Sequence, residues 1–323
     1  MRRIGARPRH PDIPDDYSID ALELAEPADL LGAVKVTGQK GPVRYGVLAA
    51  FEDDTDFVAT PDTAGNPRVK TTSDGRDFAI LRGLWEGTAG GRKSVGLIST
   101  MASHPDRDAS VFGIDMTRQS KNGKWDVGGI LMASNISDEA NGDSNGHGVQ
   151  GTVIWRPRRG VFAGVGFDIF DDELNFNDFG FMRRNDFASI RGSVSFIGSN
   201  MGPFRTINSS IFIANDFNID GDYIDGRISN FNTFSFANRS SVRASISVNP
   251  SALDDLSSRG NGMFRVDDRW GLDLRYESDP SRKLAFRAGL SGQQEDLGGW
   301  RGTAQVGLAY APSDRISIVG LVD

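Results

Sequence analysis

The chain has 323 residues, contains no cysteine and carries a formal net charge of −7. The lack of cysteine excludes disulfide frameworks and thiolate metal sites, and the acidic balance argues against nucleic acid as a partner. The 39 glycines, and 20 Phe against 5 Trp and 5 Tyr, favour β structure. No run of about 18 apolar residues occurs, so the sequence predicts no membrane-spanning helix.

Residues 1–30 are rich in Pro and Asp, and they are predicted to be an irregular lead-in segment. Beyond them, apolar and polar residues alternate with a period of two, most clearly between Trp270 and Tyr276. This period is typical of strands with one apolar and one polar face. The sequence predicts sixteen strands, at 31–38, 43–52, 76–86, 92–103, 109–118, 124–135, 147–156, 161–170, 188–198, 204–214, 224–237, 241–249, 269–277, 284–292, 301–311 and 315–321.

The links between these strands alternate in length. Those after odd-numbered strands are mostly tight, as at 39–42 and 120–123, whereas most others are longer, as at 53–75 and 171–187. In an up-and-down antiparallel sheet, alternate links lie at opposite ends, so one end should carry short turns and the other long loops. The long links hold 25 of the 43 acidic residues.

Short turns at one end, long loops at the other and strands of about ten residues are typical of an outer-membrane β-barrel. Such a sheet must close, because hydrocarbon offers no hydrogen bonds to its edges. The sequence therefore predicts an all-β, antiparallel up-and-down transmembrane β-barrel over residues 31–323. The alternative is a soluble antiparallel sandwich, whose strands also alternate. The even meander of strands and the Gly and Ala on the apolar face favour the barrel.

In this interpretation the apolar face contacts lipid and the polar face lines a lumen. Arginine outnumbers lysine by 29 to 7. Because planar guanidinium groups pair well with carboxylates, we expect Arg–carboxylate ladders on the polar face. The residues predicted to line the lumen are Arg191, Arg205, Arg243, Asp273, Arg275, Glu277, Arg287 and Arg301.

A further loop carries aromatic residues beside paired arginines, between Phe176 and Asp186. This composition suggests a packed loop that folds inward and narrows the lumen. The alternative is a surface loop pinned at the rim of the barrel. The side chains expected to form the constriction are Phe179, Phe181, Arg183 and Arg184.

Three short segments carry a family resemblance: Arg2–Gly5 (RRIG), Asp29–Gly38 (DLLGAVKVTG) and Phe176–Asp186 (FNDFGFMRRND). They resemble signature segments of a bacterial family of unknown function. The resemblance implies an outer-membrane β-barrel behind an N-terminal module similar to a family-nine carbohydrate-binding domain, with glycan as a partner of that module. The chain carries neither the module nor an export signal nor a barrel-closing end. We therefore expect a fragment of a longer protein.

Two acidic loops are candidates for Ca²⁺. The spacing of Asp216, Asn218, Asp220 and Asp222 resembles the opening of a calcium loop, although Arg227 stands where a twelfth-position acid is expected. The segment Asp138–Gly146 is also rich in oxygen ligands. The alternative for both is a solvated acidic loop. In a barrel, these loops would face lipopolysaccharide phosphates, which divalent cations could bridge.

The sequence offers few candidate catalytic residues. His147 lies near Ser144 and Asp143, which are the residue types of an acyl-transfer site, but neighbours in a loop tip are not a preorganised triad. We therefore expect no enzyme and no catalytic residue. The expected function is that of a channel, receptor or surface scaffold in a bacterial outer membrane, with lipid and lipopolysaccharide as partners. The alternatives are a secreted, soluble β-sandwich for binding or adhesion and, third, a barrel-borne hydrolase.

Overall fold

A computed structural model describes residues 4–63, 65–295, 298–313 and 316–322. Arg2 and Arg3 of the first family segment, Asp296 of a long acidic link and Asp314 of a predicted turn lie outside these ranges. The described strands are β1 (Tyr17–Ser18), β2 (Leu30–Lys40), β3 (Val43–Glu52), β4 (Thr55–Pro61), β5 (Val69–Ser73), β6 (Asp77–Gly87), β7 (Lys93–Ser103), β8 (Arg107–Gln119), β9 (Trp125–Asp138), β10 (Ser144–Trp155), β11 (Val161–Phe170), β12 (Phe187–Met201), β13 (Phe204–Phe217), β14 (Tyr223–Phe236), β15 (Ser241–Asn249), β16 (Ala252–Asp254), β17 (Phe264–Val266), β18 (Arg269–Glu277), β19 (Leu284–Gln294), β20 (Trp300–Ser313) and β21 (Ile316–Val322).

Sixteen of these strands form one sheet, and they are the sixteen that the alternating pattern predicts. Their order is β2-β3-β6-β7-β8-β9-β10-β11-β12-β13-β14-β15-β18-β19-β20-β21. The described pairings, such as β12 with β13 and β18 with β19, are antiparallel. The prediction of an all-β antiparallel fold is therefore confirmed. Several strands are longer than predicted, because hydrogen bonding continues where the hydrophobic pattern has ended.

Five short strands lie in segments that were predicted to be irregular. β1, β4 and β5 form a three-stranded sheet, and β16 pairs with β17. The small sheet buries Phe57 and Ala59 with Ile19, and partly buried Tyr17 and Leu24 pack against them. The prediction that residues 53–75 and 250–268 are plain loops was wrong in these parts. Strands this short complete too few repeats for alternation to reveal them. The described part has one short 3₁₀-helix, Glu23–Ala25, and no helix long and apolar enough to cross a membrane.

The chain packs as two units. Unit 1 comprises Met1–Arg118, Gly128–Val149 and Phe170–Asp186, and unit 2 comprises Gln119–Val127, Gln150–Ile169 and Phe187–Asp323. Because side chains alternate along each strand, every strand of either unit has two faces.

In unit 1, the two faces of the large sheet differ in chemistry. One face, called the polar face here, carries Arg82, which pairs with Asp115 at 2.7 Å. The other, the apolar face, carries side chains such as Val47, Leu81 and Phe112, which are 44%, 48% and 46% exposed. The hydrophobic cluster of this sheet lies on the polar face instead, where Ala50, Phe78 and Ala102 are buried at the long-loop ends of β3, β6 and β7.

Unit 2 has the same two kinds of face. On its apolar face, Trp270, Leu274, Phe286 and Leu308 are 43%, 44%, 48% and 54% exposed, so they do not form a dry interior. The strand registers place Arg243 opposite Arg275, and Glu277 opposite Arg287, on the other face.

Candidate functional site

The loop of residues 171–186 lies on the polar face of unit 1. The ring of Phe179 meets Phe78 edge to face, with 5.3 Å between centroids. The backbone N–H of Asn175 donates to the hydroxyl of Ser134 at 3.0 Å, four residues inside the end of β9. Leu174 is fully buried. The loop therefore reaches in over the sheet and packs against it.

The close approach of this loop requires glycine at position 146, in β10. A β-carbon added there would lie 2.0 Å from the backbone nitrogen of Leu174 and 2.3 Å from the carbonyl carbon of Glu173. Those neighbours are backbone atoms, so no side-chain rotation could relieve the overlap. Asp171 completes the turn by accepting the N–H of Leu174 at 2.7 Å.

Arg107, the first residue of β8, holds the loop to the strands. Its guanidinium donates to both carboxylate oxygens of Asp178 in the loop, at 3.2 and 3.0 Å, and to Asp138 at the end of β9 at 2.5 Å. Hydrogen bonds from Arg107, and further ones from Asn141, hold the pKa of Asp138 well below its usual value. Asp178 raises the pKa of Arg107. The guanidinium of Arg107 thus links the 171–186 loop to the ends of β8 and β9.

The N-terminal segment lies on the same polar face. The backbone N–H of Gly5 donates to Glu52 at 2.7 Å, and Arg76 pairs with the same carboxylate at 2.8 Å. Arg76 also donates to the carbonyl of Arg7 at 3.2 Å, while Ile4 packs against the cluster of Ala50, Phe78 and Ala102. Two irregular segments therefore cover the long-loop end of this face.

In unit 2, four of the predicted lumen residues surround one cavity of about 180 Å³. These are Arg243, Arg275, Glu277 and Arg287. Asp273 pairs with Arg275, two residues further along the same strand, at 3.1 Å. The structure thus brings five of the eight predicted residues together, with a local excess of positive charge.

The other three predicted lumen residues stand apart. Arg191 pairs with the buried Asp168 at 2.5 Å, and Gln150 donates to the same carboxylate. Arg301 pairs with Glu295 at 2.8 Å. Arg205 lies at a register shift between Phe204 and Thr206, where alternation no longer fixes which face a side chain takes. Arg205 is therefore not placed in line with the other arginines.

Only one of the four predicted constriction side chains packs on the polar face. That residue is Phe179, whereas Phe181 is 66% exposed and Arg183 is exposed as well. Arg184 turns back on its own segment, donating to the carbonyl oxygens of Asn185 and Asp186. Whether the loop narrows a passage stays a prediction.

Aromatic side chains stand at both ends of the strands on the apolar face. At the short-turn end, Trp125 stacks on Trp155 with 5.7 Å between ring centroids. At the long-loop end of unit 2, Trp270 meets Trp300 at 4.7 Å. Others at the short-turn end, within one unit or the other, are Tyr45, Trp85, Phe204, Phe236, Tyr276, Phe286 and Tyr310.

The predicted calcium loop is closed by its own side chains. The side chain of Asn218 bonds Asp222 twice, since its amide donates to the carboxylate of Asp222 and its carbonyl oxygen accepts the backbone N–H of Asp222. Within the described residues, no three His, Cys, Asp or Glu side chains are grouped as metal ligands would be. Ca²⁺ binding at either acidic loop stays a prediction.

The residues considered for an acyl-transfer site, Asp143, Ser144 and His147, are not hydrogen-bonded to one another in the structure. Asp143 accepts a hydrogen bond from Ser137 at 2.7 Å. The ring of His147 lies 3.5 Å from Asp171, and its side chain is 75% exposed. The fold therefore does not assemble Asp143, Ser144 and His147 into a relay.

The family model described as "Domain of unknown function (DUF5916)" matches residues 1–321. The chain belongs to this family. The comparison with curated proteins finds no significant match. The resemblance to a family of unknown function is thus confirmed, while the barrel and the carbohydrate-binding module that it implied remain proposals.

Sequence reasoning missed several residues that organise this DUF5916 chain. Arg107, Asp138 and Asp178 received no role as a cluster, and Gly146 was noted only as part of an acidic loop. A usable signal existed for the first two, because both lie in acidic links on the side of the sheet that was predicted to carry the long loops, Arg107 in 104–108 and Asp138 in 136–146. No sequence signal indicated Asp178 as their partner, since 71 residues separate it from Arg107.

Proposed function

We propose that this DUF5916 chain is the barrel part of a bacterial outer-membrane protein and acts as a channel, receptor or surface scaffold without enzymatic activity. The apolar face contacts lipid, the polar face surrounds a lumen, and the sheet closes into a barrel. Lipopolysaccharide is the partner at the acidic long-loop end. Handling of glycans belongs to the same proposal, and it derives from the module that the family resemblance implies.

The observation that carries this proposal is the exposed apolar face bounded by aromatic rings. Soluble monomers rarely leave a contiguous apolar surface of more than a few hundred Å² open to water. Here the apolar faces of both units carry many Val, Leu, Ile and Phe side chains that are mostly 40–60% exposed. Lipid tails would cover such a face without any second protein layer.

The spacing of the aromatic rings fits the thickness of a bilayer. Trp300 and Tyr310 point from the apolar face at the two ends of β20, ten residues apart. At about 3.3 Å per residue and a tilt of about 40°, this separation spans roughly 25 Å, the height of the lipid-facing band of outer-membrane barrels. Aromatic girdles at both edges of that band are a known feature of such proteins.

The chemistry of the polar face supports the proposal of a lumen that is partly filled by protein. Its charged side chains are largely paired, as in Arg82–Asp115 and Arg191–Asp168, which suits side chains that face one another across a confined space. The 171–186 loop and the N-terminal segment would narrow the passage through unit 1. A receptor or scaffold is thus as consistent with this face as an open pore.

Extraction and bilayer conductance test the proposal. Membranes from a Gram-negative host would be washed with high salt and then treated with detergent. We expect release only by detergent and a heat-modifiable band in gel electrophoresis. Release of folded protein by salt alone would favour the soluble sandwich and overturn the membrane assignment.

Ion selectivity in planar bilayers would then test the lumen. Arg275→Gln leaves the carboxylate of Asp273 without its partner, so selectivity should move toward cations. Arg68→Gln, in the exposed link between β4 and β5, removes the same charge away from the sheet and is the control. A conducting protein whose selectivity is unchanged by Arg275→Gln would exclude this face from the passage.

A further inference from the structure

A cavity of about 420 Å³ lies on the polar face of unit 1, along β2, β3 and β6. Three aliphatic side chains line it, those of Leu48, Ile80 and Leu84. The strand registers place them on the face that carries Arg82. Leucine and isoleucine therefore interrupt the polar face here, and they give the cavity a mainly apolar wall.

The apolar wall continues the buried cluster at the long-loop end of this face. Leu48 packs against that cluster, as do Ile4 and Phe179 from the two segments that cover it. Leu48, Ile80 and Leu84 are themselves only half-buried, so neither segment closes over this part of the wall. Ligand pockets are typically concave and mostly apolar, with a few polar groups that orient the ligand. The wall thus suits a ligand with an apolar body.

The charges around the cavity leave one cation over. Lys35, Arg44 and Arg82 line the cavity, and no carboxylate lines it. Arg44 pairs with Glu86 at 2.8 Å, and Arg82 pairs with Asp115 at 2.7 Å. Among the described residues Lys35 forms no ion pair, so three cations stand against two carboxylates. The surplus is a single positive charge.

Lys35 stands directly beside the apolar wall. In the pairing of β2 with β3 it lies opposite Leu48, on the same face. Its side chain lines the cavity and is exposed, so a ligand in the cavity can reach it. The guanidinium of Arg82 instead lies over β7, where its Nη2 is 2.6 Å from the place of a β-carbon on Gly96. Lysine carries its charge on a flexible four-carbon stem, so Lys35 is the cation available to a ligand head group.

We propose that this cavity binds an alkyl carboxylate. The hydrocarbon body lies on Leu48, Ile80 and Leu84, and the head group pairs with Lys35. The single negative charge matches the surplus cation, and the body removes the aliphatic wall from water. At about 30 Å³ for each water-sized group, the volume corresponds to roughly 14 non-hydrogen atoms, the size of an acid of about 12 carbons. The site lies within unit 1, so its failure would leave the membrane proposal untouched.

Isothermal titration calorimetry on the purified full chain tests the site, with sodium decanoate as the probe and one nonionic detergent throughout. Decan-1-ol has the same body without the charge, and sodium acetate has the charge without the body. We expect saturable binding of decanoate, roughly threefold to fivefold weaker binding of decan-1-ol, as for the loss of an exposed ion pair, and none of acetate. Equal affinities for decanoate and decan-1-ol, or no saturable heat beyond that of detergent alone, would overturn the assignment.

A charge variant locates the head group. Lys35→Gln should weaken decanoate binding about threefold to fivefold and abolish the preference over decan-1-ol, whereas Lys35→Arg keeps the charge and should retain both. Lys40→Gln removes the same charge at the end of β2, outside the cavity, and is the control. A preference for decanoate that survives Lys35→Gln would refute the pairing.

A size variant locates the hydrocarbon body. An added β-carbon at Gly46, which lines the cavity, would meet only Thr37 at 3.5 Å and the carbonyl oxygen of Val36 at 3.9 Å, so a larger side chain fits without strain. Gly46→Leu should weaken decanoate binding about tenfold or more, the effect of displacing two methylene groups from the wall. Gly32→Leu adds the same side chain opposite Phe51, on the apolar face, and is the control. Equal affinities of these two variants would place the ligand elsewhere.

Discussion

Gly146 shows how a missing side chain directs the path of a distant loop. The backbone of Glu173 and Leu174 occupies the space where a β-carbon would stand. Only glycine therefore allows the 171–186 loop to bury Leu174 against β10. This role concerns close packing, because Gly146 does not have the positive φ that marks glycines in turns.

We expect Gly146→Ala to displace residues 173–174 and to lower the free energy of unfolding by about 1–3 kcal/mol, as overpacking usually does. Denaturant titration measures this loss. Gly192→Ala is the matched control, because an added β-carbon there meets no atom within 4 Å. Equal stability of the two variants would contradict the close approach.

Asp138 makes the protein sensitive to acid. Its carboxylate is buried beside Arg107 at the loop ends of their strands, outside the segments proposed to cross a bilayer. Because the folded pKa is depressed, its contribution to stability is complete above the unfolded pKa of about 3.9 and is lost as the pH falls below it.

The denaturant midpoint of the native protein should therefore fall more steeply than that of Asp138→Asn between about pH 5 and pH 2. The variant cannot ionise at this position, so it lacks this part of the pH dependence. Parallel curves for the two proteins would show that the Arg107–Asp138 pair does not contribute.

At the scale of elements, residues 175–179 of the 171–186 loop are held at three points. Phe179 packs on Phe78, Asp178 pairs with Arg107, and Asn175 bonds Ser134. Beyond these contacts, Phe181 and Arg183 remain exposed. Arg183 is therefore open to protease, whereas Asp171 and Glu173 bond the start of the loop to β10 by accepting the backbone N–H groups of His147 and Asn145.

Phe179→Ala should free the loop and destabilise the protein by about 2 kcal/mol, less than for a fully buried aromatic residue because Phe179 is only half-buried. Trypsin cleavage after Arg183 measures the release. Phe181→Ala removes an equally large ring that is exposed, so its cleavage rate should match that of the native protein. Equal rates in both variants would argue against anchoring by Phe179.

At the scale of the whole molecule, water and a lipid bilayer differ in how well each tolerates a charged side chain on the apolar face. Leu274 stands midway along β18 and Leu284 at the short-turn end of β19, and they are 44% and 59% exposed. In water both positions should tolerate arginine, at a cost of about 0.5 kcal/mol or less. In a bilayer the cost depends on depth.

We expect Leu274→Arg to make the free energy of folding into lipid vesicles less favourable by about 2–4 kcal/mol. For Leu284→Arg the loss should be no more than about 1 kcal/mol. Refolding titrations into phospholipid vesicles give both values. The pair is matched, because the residue type and the face are the same and only the depth differs. Equal small losses would indicate a face that meets water.

The sequence by itself determined the strands and the chemistry of their faces. A period of two is a local property of extended backbone, so residues such as Leu272 and Asp273 reveal their opposite faces without knowledge of any partner. The length of the links likewise indicated which strand ends carry the long loops. The pattern became weak at short strands such as β16 and at the register shift beside Arg205.

Only the tertiary structure decided what the loops do. The partners of Arg107 and the space left by Gly146 both depend on segments far apart in the chain. Loops have no periodicity, and their conformation is set by whichever distant side chains they happen to meet. The sheet was therefore predictable from the sequence, whereas the candidate site required coordinates.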